Sequence, residues 1–422
     1  MITFFDRDKN MFVFIMIAIL VCRVTAQLPN YPPSYQMNKS TIIMPCNYTG
    51  FTDPATIKGW AIIDFDWSNA RAIWATGHPM DCAERLVEQV EMLVASSPET
   101  RVWVYRNSIK ALPWYTSVRE KLQDPAYAAW HMKFKPQGPY YVSPCDNNYN
   151  PPLCSDYYHD QTQTPEFPSG PHGTCASPAC DVGSVPVGEY LWDPRAWNIS
   201  INNQTLGEWF INDYLFDPTG GGNANVSGFF FDDVWGAGGP SEFESHAAVD
   251  MGLSAADLLQ ISDSYHRNMN DVYAAVLARG KFSWQQLWTG QSQGSPARTA
   301  PQPLVQKGSC AANLRSLCTA TSSAQTQYMM YSFAPGNPSN LTQFTQDLAN
   351  FLLVRGPYGL LGHGWITCSL EYEFPEALNL DYGEPMGLCQ ETARSSNVFR
   401  REWSKATVEM DCNTWQATIT MK

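Results

Sequence analysis

Residues 228–236 read GFFFDDVWG, in which three phenylalanines precede two adjacent aspartates and then a tryptophan. The run from Gly228 to Phe231 has the composition of a buried β-strand. Charged side chains are rarely buried without a partner, so the two aspartates are expected at the exit of this strand, in a cleft. The segment therefore predicts a strand whose carboxyl end opens on a functional site.

Seven further stretches have strand character, because each is rich in aromatic or β-branched residues and bounded by turn-forming residues. Helical patterns lie between several of them, and the clearest covers 254–279, where Ser254 is the expected N-cap and Asp257 follows three residues later. Strands that alternate with helices predict a parallel sheet, and eight such units fit an α/β fold of the (β/α)8 TIM-like barrel type. The seven stretches are 59–67, 101–107, 128–134, 188–194, 281–288, 327–333 and 358–365, and the other helical patterns are 83–95, 112–122, 205–216 and 342–355.

The barrel is expected to span 59–375, after an extended lead-in over 27–58. Residues 135–187 have no helical pattern and are rich in Pro, Tyr and Cys, which predicts a disulfide-stapled loop insertion over the mouth of the barrel. Within 376–422, the last 25 residues alternate apolar and polar positions, which predicts a short antiparallel β appendage.

The N-terminus resembles a secretory signal peptide over residues 1–26, with a short polar start, an apolar run and small residues at 24–26. A signal anchor is the alternative. The sequence also holds six Asn-x-Ser/Thr sequons, which favour a glycoprotein that is secreted and extracellular, with no membrane contact after signal cleavage. The sequons are at Asn38, Asn47, Asn198, Asn203, Asn225 and Asn340.

Twelve cysteines are present, and an odd number remains once Cys22 is removed with the signal peptide. In an oxidising compartment the close pairs Cys145/Cys154, Cys175/Cys180 and Cys310/Cys318 are expected to form local disulfides. Zinc-binding spacings are missing from the sequence, so no metal is expected. The odd cysteine predicts either a free thiol or a disulfide-linked partner, as in a wall or matrix component.

The negative net charge of the chain argues against anionic binding partners. The formal net charge is −13, whereas nucleic acids and anionic membranes require basic patches. Aromatic residues make up 13% of the chain, and rings on an uncharged surface suit stacking against sugars. Most of these rings are nevertheless expected in the core. The composition favours a carbohydrate substrate or ligand and no nucleic acid.

Active sites of (β/α)8 barrels form at the carboxyl ends of the strands, and the predicted ends carry many polar groups. Carboxylates among tryptophans are what glycosidic bond cleavage requires, since one carboxylic acid protonates the leaving oxygen and a carboxylate attacks or activates water. Asp232 is predicted as nucleophile or base, and Asp193 is the first choice for the acid, with Asp66, Glu371 and Glu373 as alternatives. The residues predicted to bind substrate are Asp64, Asp66, Trp67, Arg106, Trp192, Asp233, Trp235, His363, Trp365 and Glu371.

The run Gly228–Asp232 resembles the strand motif G-F-x-x-D of the alpha-amylase superfamily and of related barrel glycosidases, in which the aspartate is the nucleophile. Residues 380–385 and 398–403 resemble the end of several poorly characterised glycoside-hydrolase-like barrel families. The resemblance implies a (β/α)8 barrel and hydrolysis of a glycan, with Asp232 as nucleophile and no cofactor. It covers roughly 59–412 in layout, through short motifs.

One departure from that family keeps a second function open. Its acid/base is a glutamate at the end of the next strand, where this chain has Gln285 and Gln286. A barrel without the proton donor would be a non-catalytic carbohydrate-binding or cell-surface structural glycoprotein. Asp232 or Asp233 could instead cap the loop or pair with Arg106, and His363 is expected to hydrogen-bond in the cleft rather than bind metal.

Overall fold

The computed structural model describes the chain in twelve segments. They are residues 34–75, 79–136, 144–146, 152–160, 186, 188–240, 247–285, 307–318, 328–332, 343–357, 359–363 and 374–422. The predicted signal peptide, Cys175, Cys180 and the sequon at Asn340 lie outside these residues. None of the helices in the described segments combines the length and the hydropathy needed to cross a membrane.

Seven parallel strands form the main sheet, in the order β5-β4-β3-β2-β1-β7-β6. Strands that follow one another along the chain are therefore neighbours, except across the single break between β5 and β6, and β7 returns to pair with β1. This order fits an α/β barrel. The strands are β1 Thr41–Ile43, β2 Ile62–Phe65, β3 Arg101–Asn107, β4 Val226–Asp232, β5 Phe282–Gln285, β6 Tyr328–Ser332 and β7 Gly359–His363.

Helices lie between most of these strands. The longest, α6, is capped by Ser254 and Asp257 in a reciprocal capping box, as its sequence predicts. A π-helix at Phe210–Leu215 continues α4. The helices are α1 Arg71–Trp74, α2 Cys82–Ser96, α3 Thr116–Gln123, α4 Leu206–Trp209, α5 Ala247–Asp250, α6 Ala255–Ala278, α7 Cys310–Leu317 and α8 Phe344–Val354, with 3-10 turns at Met37–Lys39, Pro54–Ile57, Pro125–Trp130, Pro194–Ala196 and Glu376–Asn379.

The assignment of two predicted strands to the barrel is wrong. Residues 128–130 belong to the end of a 3-10 helix that begins at Pro125, where the Asp124 carboxylate accepts a hydrogen bond from the Ala126 N–H. The rest of the stretch forms only isolated antiparallel bridges, at His131 and Lys133. Its aromatic residues reflect burial rather than strand geometry. Residues 188–194 contain a short strand, Glu189–Leu191, but it pairs antiparallel with Lys110–Ala111 and His159–Asp160 in a separate sheet.

The structure has a strand that the sequence analysis missed. Thr41–Ile43 lies within the segment expected to be an extended lead-in, and it pairs with both β2 and β7. All three residues are buried, so no alternation of polar and apolar positions marks the strand. A three-residue strand with both faces covered is too short to stand out from its surroundings.

Side chains of β4 alternate between two environments. Phe229 and Phe231 pack on the helix-covered face, against Phe216 and Tyr273. The alternate residues point to the other face, where the Trp103 ring stacks on Phe282 with centroids 4.6 Å apart. Gly228 lies in register with both rings, and a Cβ there would be 2.6 Å from the indole nitrogen of Trp103. The glycine is therefore required by this close approach.

Residues after 389 form an antiparallel sheet with strands β8 Gln390–Glu391, β9 Val398–Glu402, β10 Ala406–Asp411 and β11 Gln416–Met421. The sheet packs against α8. Arg401 of β9 is buried and donates hydrogen bonds to the carbonyl oxygens of Leu352 (3.1 Å), Leu353 (3.1 Å) and Arg355 (2.8 Å). Because a helix leaves its last carbonyls unpaired, this guanidinium caps α8 and fixes the sheet to it.

The disulfides confirm one local pairing and correct another. Cys145 is bonded to Cys154, as predicted. The predicted Cys310/Cys318 pair is wrong, because Cys310 is bonded to Cys412 and Cys318 to Cys389. The two cysteines lie at opposite ends of α7, separated by about 12 Å of helix rise, which exceeds the span of a disulfide. Both bonds instead tie α7 to the C-terminal sheet.

Candidate active site

The carboxyl end of β4 carries two aspartates in different environments. Asp232 is the last residue of the strand and is partly exposed, whereas the side chain of Asp233 is 0% exposed. Asp233 has a φ of 60°, a left-handed conformation that aspartate tolerates better than most residues. The Asp233 N–H donates to Oδ1 of Asp232 over 2.9 Å. The strand therefore ends in one partly exposed carboxylate and one buried carboxylate.

Asn107 links this turn to the adjacent strand. It ends β3 in register with Asp232, and its Nδ2 donates to Oδ2 of Asp233 and to the hydroxyl of Tyr105, both over 2.8 Å. Its Oδ1 accepts from the N–H groups of Ile109 (2.9 Å) and Lys110 (2.6 Å). One amide thus fixes the carboxyl end of β3 and the carboxylate of Asp233 together. A fully hydrogen-bonded buried network of this kind holds a single geometry.

Ser108 fixes the backbone of the same turn. Its N–H donates to the carbonyl oxygen of Asp232 over 3.1 Å. Its hydroxyl oxygen lies 2.8 Å from the carbonyl oxygens of both Asp232 and Asp233 and 2.8 Å from the hydroxyl of Tyr265, a residue of α6. The backbone that carries the Asp232 carboxylate is therefore restrained by two neighbouring elements, the end of β3 and α6.

Lys110 joins a third element to the site. Its Nζ lies 3.2 Å from Oδ2 of Asp233 and 2.8 Å from Oε2 of Glu189, and the Lys110 and Glu189 side chains are each 8% exposed. Glu189 comes from the small sheet, where it pairs with Asp160. Burial raises the pKa of Glu189, the charges of Asp233 and Asp160 raise it further, and the Lys110 ammonium opposes them. The long connection between β3 and β4 thus brings a second, buried carboxyl group to this rim.

Asp66 approaches the same region from the end of β2. Its Oδ1 accepts hydrogen bonds from the backbone N–H and the hydroxyl of Ser68. Burial raises the pKa of Asp66 to about 6, although the bonds from Ser68 oppose that rise. Burial also raises the pKa of Tyr105, and the charges of Asp232, Asp233 and Asp66 raise it further.

Asp64 is located deeper, within the sheet. Neither carboxylate oxygen has a hydrogen-bond partner among the described residues, and the side chain is fully buried. Burial and the neighbouring Asp66 raise the pKa of Asp64 well above its usual range. Asp64 lies in register with Trp103, two residues before Asp66 and below the strand ends. It is therefore held in the protein interior rather than displayed at the rim.

The four predicted stacking tryptophans differ in exposure. Trp67 is partly exposed, with the Arg71 guanidinium 5.1 Å from its ring and the Trp114 ring 5.2 Å away. Trp192 is buried between the rings of His131 and Trp209, and Trp235 is completely buried. Neither of these two offers a ring face to a ligand in this structure. Trp365 lies outside the described residues.

Two other predicted residues lie away from the Asp232 turn. Arg106 is next to Asn107 in sequence and therefore points to the helix-covered face, where Tyr115 and Tyr214 flank its guanidinium. Asp193 caps the 3-10 helix at Pro194–Ala196 and forms a salt bridge with Arg195 at 2.8 Å. The prediction that Asp193 lies at the end of a barrel strand is wrong, because Glu189–Leu191 is not in the main sheet.

The remaining predicted residue in the described chain is His363, which ends β7 opposite Ile43, while Glu371 lies beyond the described segments. The sequence analysis assigned no role to Asn107, Lys110 or Glu189, although Asn107 and Glu189 are among the polar residues of the predicted strands. All three follow or neighbour a predicted strand end, but only their spatial pairing identifies them. No group of three or more His, Cys, Asp or Glu side chains in the described segments is arranged to hold a metal ion.

Comparison with known proteins finds no matching family model and no matching curated protein. Solved structures do match at a distant level. The sucrose 6F-phosphate phosphorylase of Thermoanaerobacter thermosaccharolyticum is 8% identical, with a TM-score of 0.44 over 90% of this chain and 95% of that one. The cyclic alpha-maltosyl-(1→6)-maltose hydrolase of Arthrobacter globiformis is 9% identical, with a TM-score of 0.43 over 92% and 97%.

A maltogenic amylase from S. marinus is 10% identical, with a TM-score of 0.39 over 89% of this chain and 62% of that one. Similarity at this level decides nothing about activity or substrate, so both must be argued from the site itself.

Proposed function

We propose that this protein is a secreted glycoside hydrolase that cleaves glycosidic bonds in a polysaccharide or glycan, with Asp232 as nucleophile or base. The observation that carries the proposal is the partly exposed carboxylate of Asp232 at the carboxyl end of a parallel strand. Hydrogen bonds to Ser108 and Asn107 restrain the turn beneath it. A nucleophile must be held in such a fixed position to act on an anomeric carbon.

The proposed fold is a (β/α)8 barrel in which the main sheet supplies seven of the eight strand positions and the open position falls between β5 and β6, with the C-terminal antiparallel sheet as its appendage. Strand order supports closure, because the chain proceeds around the sheet from β1 to β5 and returns through β6 and β7 to β1. Barrel closure would gather the carboxyl ends of all strands on one rim. Asp66 and the partly exposed Trp67 would then lie beside Asp232 and bind the sugar.

The test is hydrolysis of a panel of polysaccharides and of aryl glycosides of glucose, galactose, mannose, xylose and N-acetylglucosamine, in both anomeric forms. We expect wild type to hydrolyse at least one of them and Asp232→Asn to lose at least 100-fold in kcat. Asp213→Asn is the matched control, because Asp213 is an exposed aspartate in the connection between β3 and β4. Equal rates for wild type and Asp232→Asn would remove Asp232 from the mechanism.

A second candidate function is non-catalytic carbohydrate binding at a cell surface. The observation that favours it is the end of β5, where Gln285 and then Gln286 stand in place of a carboxylic acid. The same panel separates the two functions. Measurable affinity for a glycan by calorimetry, with no turnover between pH 4 and 8, would establish binding and exclude hydrolysis.

A further inference from the structure

The proposed hydrolysis leaves one chemical role unfilled. Cleavage requires a carboxylic acid that protonates the leaving oxygen, as well as the carboxylate on the other side of the bond. The strand that follows β4 in the sheet supplies none, because β5 ends at Gln285. A proton donor for Asp232 must therefore come from another element on the same rim.

Glu189 is the carboxyl group that the fold delivers there. Its strand pairs with Lys110–Ala111, directly beyond the end of β3, and β3 lies beside β4. Oε2 of Glu189 and Oδ2 of Asp233 both contact the Nζ of Lys110, so they are at most about 6 Å apart. Asp232 is the residue before Asp233. Glu189 therefore lies beside the turn that carries Asp232, and glycosidases hold their two carboxyl groups about 5–5.5 Å or about 6.5–9.5 Å apart.

We infer that Glu189 is the proton donor of this site, a role that rests on the proposed hydrolysis at Asp232. In the reaction, the O–H of Glu189 transfers its proton to the glycosidic oxygen as the bond from that oxygen to the anomeric carbon breaks. The bonding electrons leave with the oxygen, which becomes an alcohol. Asp232 either takes a proton from the water that attacks the anomeric carbon or bonds to that carbon itself. In the second case water then breaks the bond to Asp232 and gives its proton to the Glu189 carboxylate, and in both cases water supplies the hydroxyl group of the product.

The surroundings of Glu189 favour the protonated form that a donor needs. The residue is 6% exposed, and two carboxyl groups face it, Asp160 on the paired strand and Asp233 across Lys110. Burial is the largest cause of its raised pKa, and Lys110 lowers that pKa by a smaller amount. The single ammonium is shared with Asp233, so it does not neutralise Glu189 alone.

Asp193, the acid expected from the sequence, is instead held in place by Arg195. The Arg195 Nε lies 2.9 Å and 3.2 Å from its two carboxylate oxygens, and the Arg195 Nη2 lies 2.8 Å from Oδ2. A bidentate guanidinium stabilises the ionised carboxylate. Asp193 also accepts a hydrogen bond from the Arg195 N–H as a helix cap. Its contacts explain a structural role, whereas those of Glu189 fit a proton donor.

The experiment uses the secreted full-length protein and compares leaving groups. Once the panel has identified a sugar, its 2,4-dinitrophenyl glycoside, which needs no protonation, is compared with its unactivated alkyl glycoside, which does. We expect Glu189→Gln to lose 100-fold or more in kcat/KM on the alkyl glycoside and less than 10-fold on the dinitrophenyl glycoside. Asp232→Asn should lose activity on both. The control Glu120→Gln replaces an exposed glutamate of α3 and should match wild type.

A second measurement does not depend on turnover. In protein labelled with 13C at glutamate carboxyl carbons, NMR titration of wild type against Glu189→Gln assigns the Glu189 signal, which should titrate above the ordinary value of 4.5. Titration at or below 4.5 would overturn the inference. Equal losses on both glycosides, or no loss on the alkyl glycoside, would overturn it while leaving Asp232 as proposed. A wild type inactive on the whole panel would instead defeat the hydrolase proposal and the donor role with it.

Discussion

Replacing Lys110 with methionine tests the buried network beneath Asp232. The substitution keeps an unbranched side chain of similar length and removes the ammonium that contacts Glu189 and Asp233. Two buried carboxyl groups would then lose the counter-charge that they share. We expect a large loss of stability at neutral pH, because breaking a buried ion pair from one side typically costs about 3–5 kcal/mol.

The magnitude follows from how the variant would relieve the conflict. Its cheapest relief is to bind a proton on Glu189, whose ordinary pKa is 4.5. At pH 7 that protonation costs about 3 kcal/mol, and at pH 5 it costs less than about 1 kcal/mol. The folded pKa lies above the unfolded one, so stability is lost as pH rises above about 4.5. The destabilisation by Lys110→Met should therefore grow from pH 5 to pH 7.

The assay is urea unfolding at both pH values, with the disulfides intact. Lys58→Met, at an exposed lysine, is the control and should change the free energy of unfolding by less than about 0.5 kcal/mol. In the double variant Lys110→Met/Glu189→Gln the neutral amide removes the conflict, so we expect recovery of about 2 kcal/mol or more at pH 7. A loss for Lys110→Met below about 1 kcal/mol, equal at both pH values, would mean that the contacts behave as an exposed pair and would refute the reasoning.

Three further predictions concern other buried groups. Burial raises the pKa of Asp66 from 3.8 to about 6, so its ionisation costs the fold about 3 kcal/mol as pH rises from about 4 to 7. The stability of Asp66→Asn relative to wild type should rise by that amount over this range in urea unfolding, and parallel pH profiles would contradict it. Arg401→Met should lower the free energy of unfolding by about 3 kcal/mol, because three carbonyl oxygens at the end of α8 lose a charged donor. Arg400→Met, at a neighbouring side chain that is 50% exposed, is its control and should cost less than about 1 kcal/mol, so similar losses in the two variants would argue against the cap. Cys82 is buried and burial raises the pKa of its thiol, so iodoacetamide should label it only after unfolding, as peptide mass spectrometry would show; rapid labelling of the native protein would disprove its burial.

The elements that hydrophobic patterns and capping residues predict are confirmed where those patterns depend only on neighbouring residues. The residues that begin α6, Ser254 and Asp257, hydrogen-bond to each other within one turn, so their spacing alone specifies the start of the helix. The strand at Val226–Asp232 was likewise marked by a continuous apolar run and a polar exit. Such elements are specified by neighbours in the chain.

Elements that depend on distant partners were missed or misplaced. Thr41–Ile43 is a strand because it pairs with β2 on one side and β7 on the other. A segment of three residues contains no local pattern that predicts these partners. Cys310 and Cys318 are close in sequence, yet α7 directs them to different partners in the C-terminal sheet. Cys82 is a buried free thiol among the described residues, and the disulfide-linked partner stays a prediction.

The sequence by itself determined the alternation of strands and helices and placed Asp232 at the exit of a strand, since both follow from patterns a few residues long. Tertiary structure decided which carboxyl groups share the rim. Glu189 reaches Lys110 only because a short strand in the connection between β3 and β4 pairs with residues 110–111. Asp193, four residues later, turns instead to Arg195. Two carboxyl groups that are close in sequence thus lie in different environments, because burial and charge pairing depend on long-range contacts that no local pattern encodes.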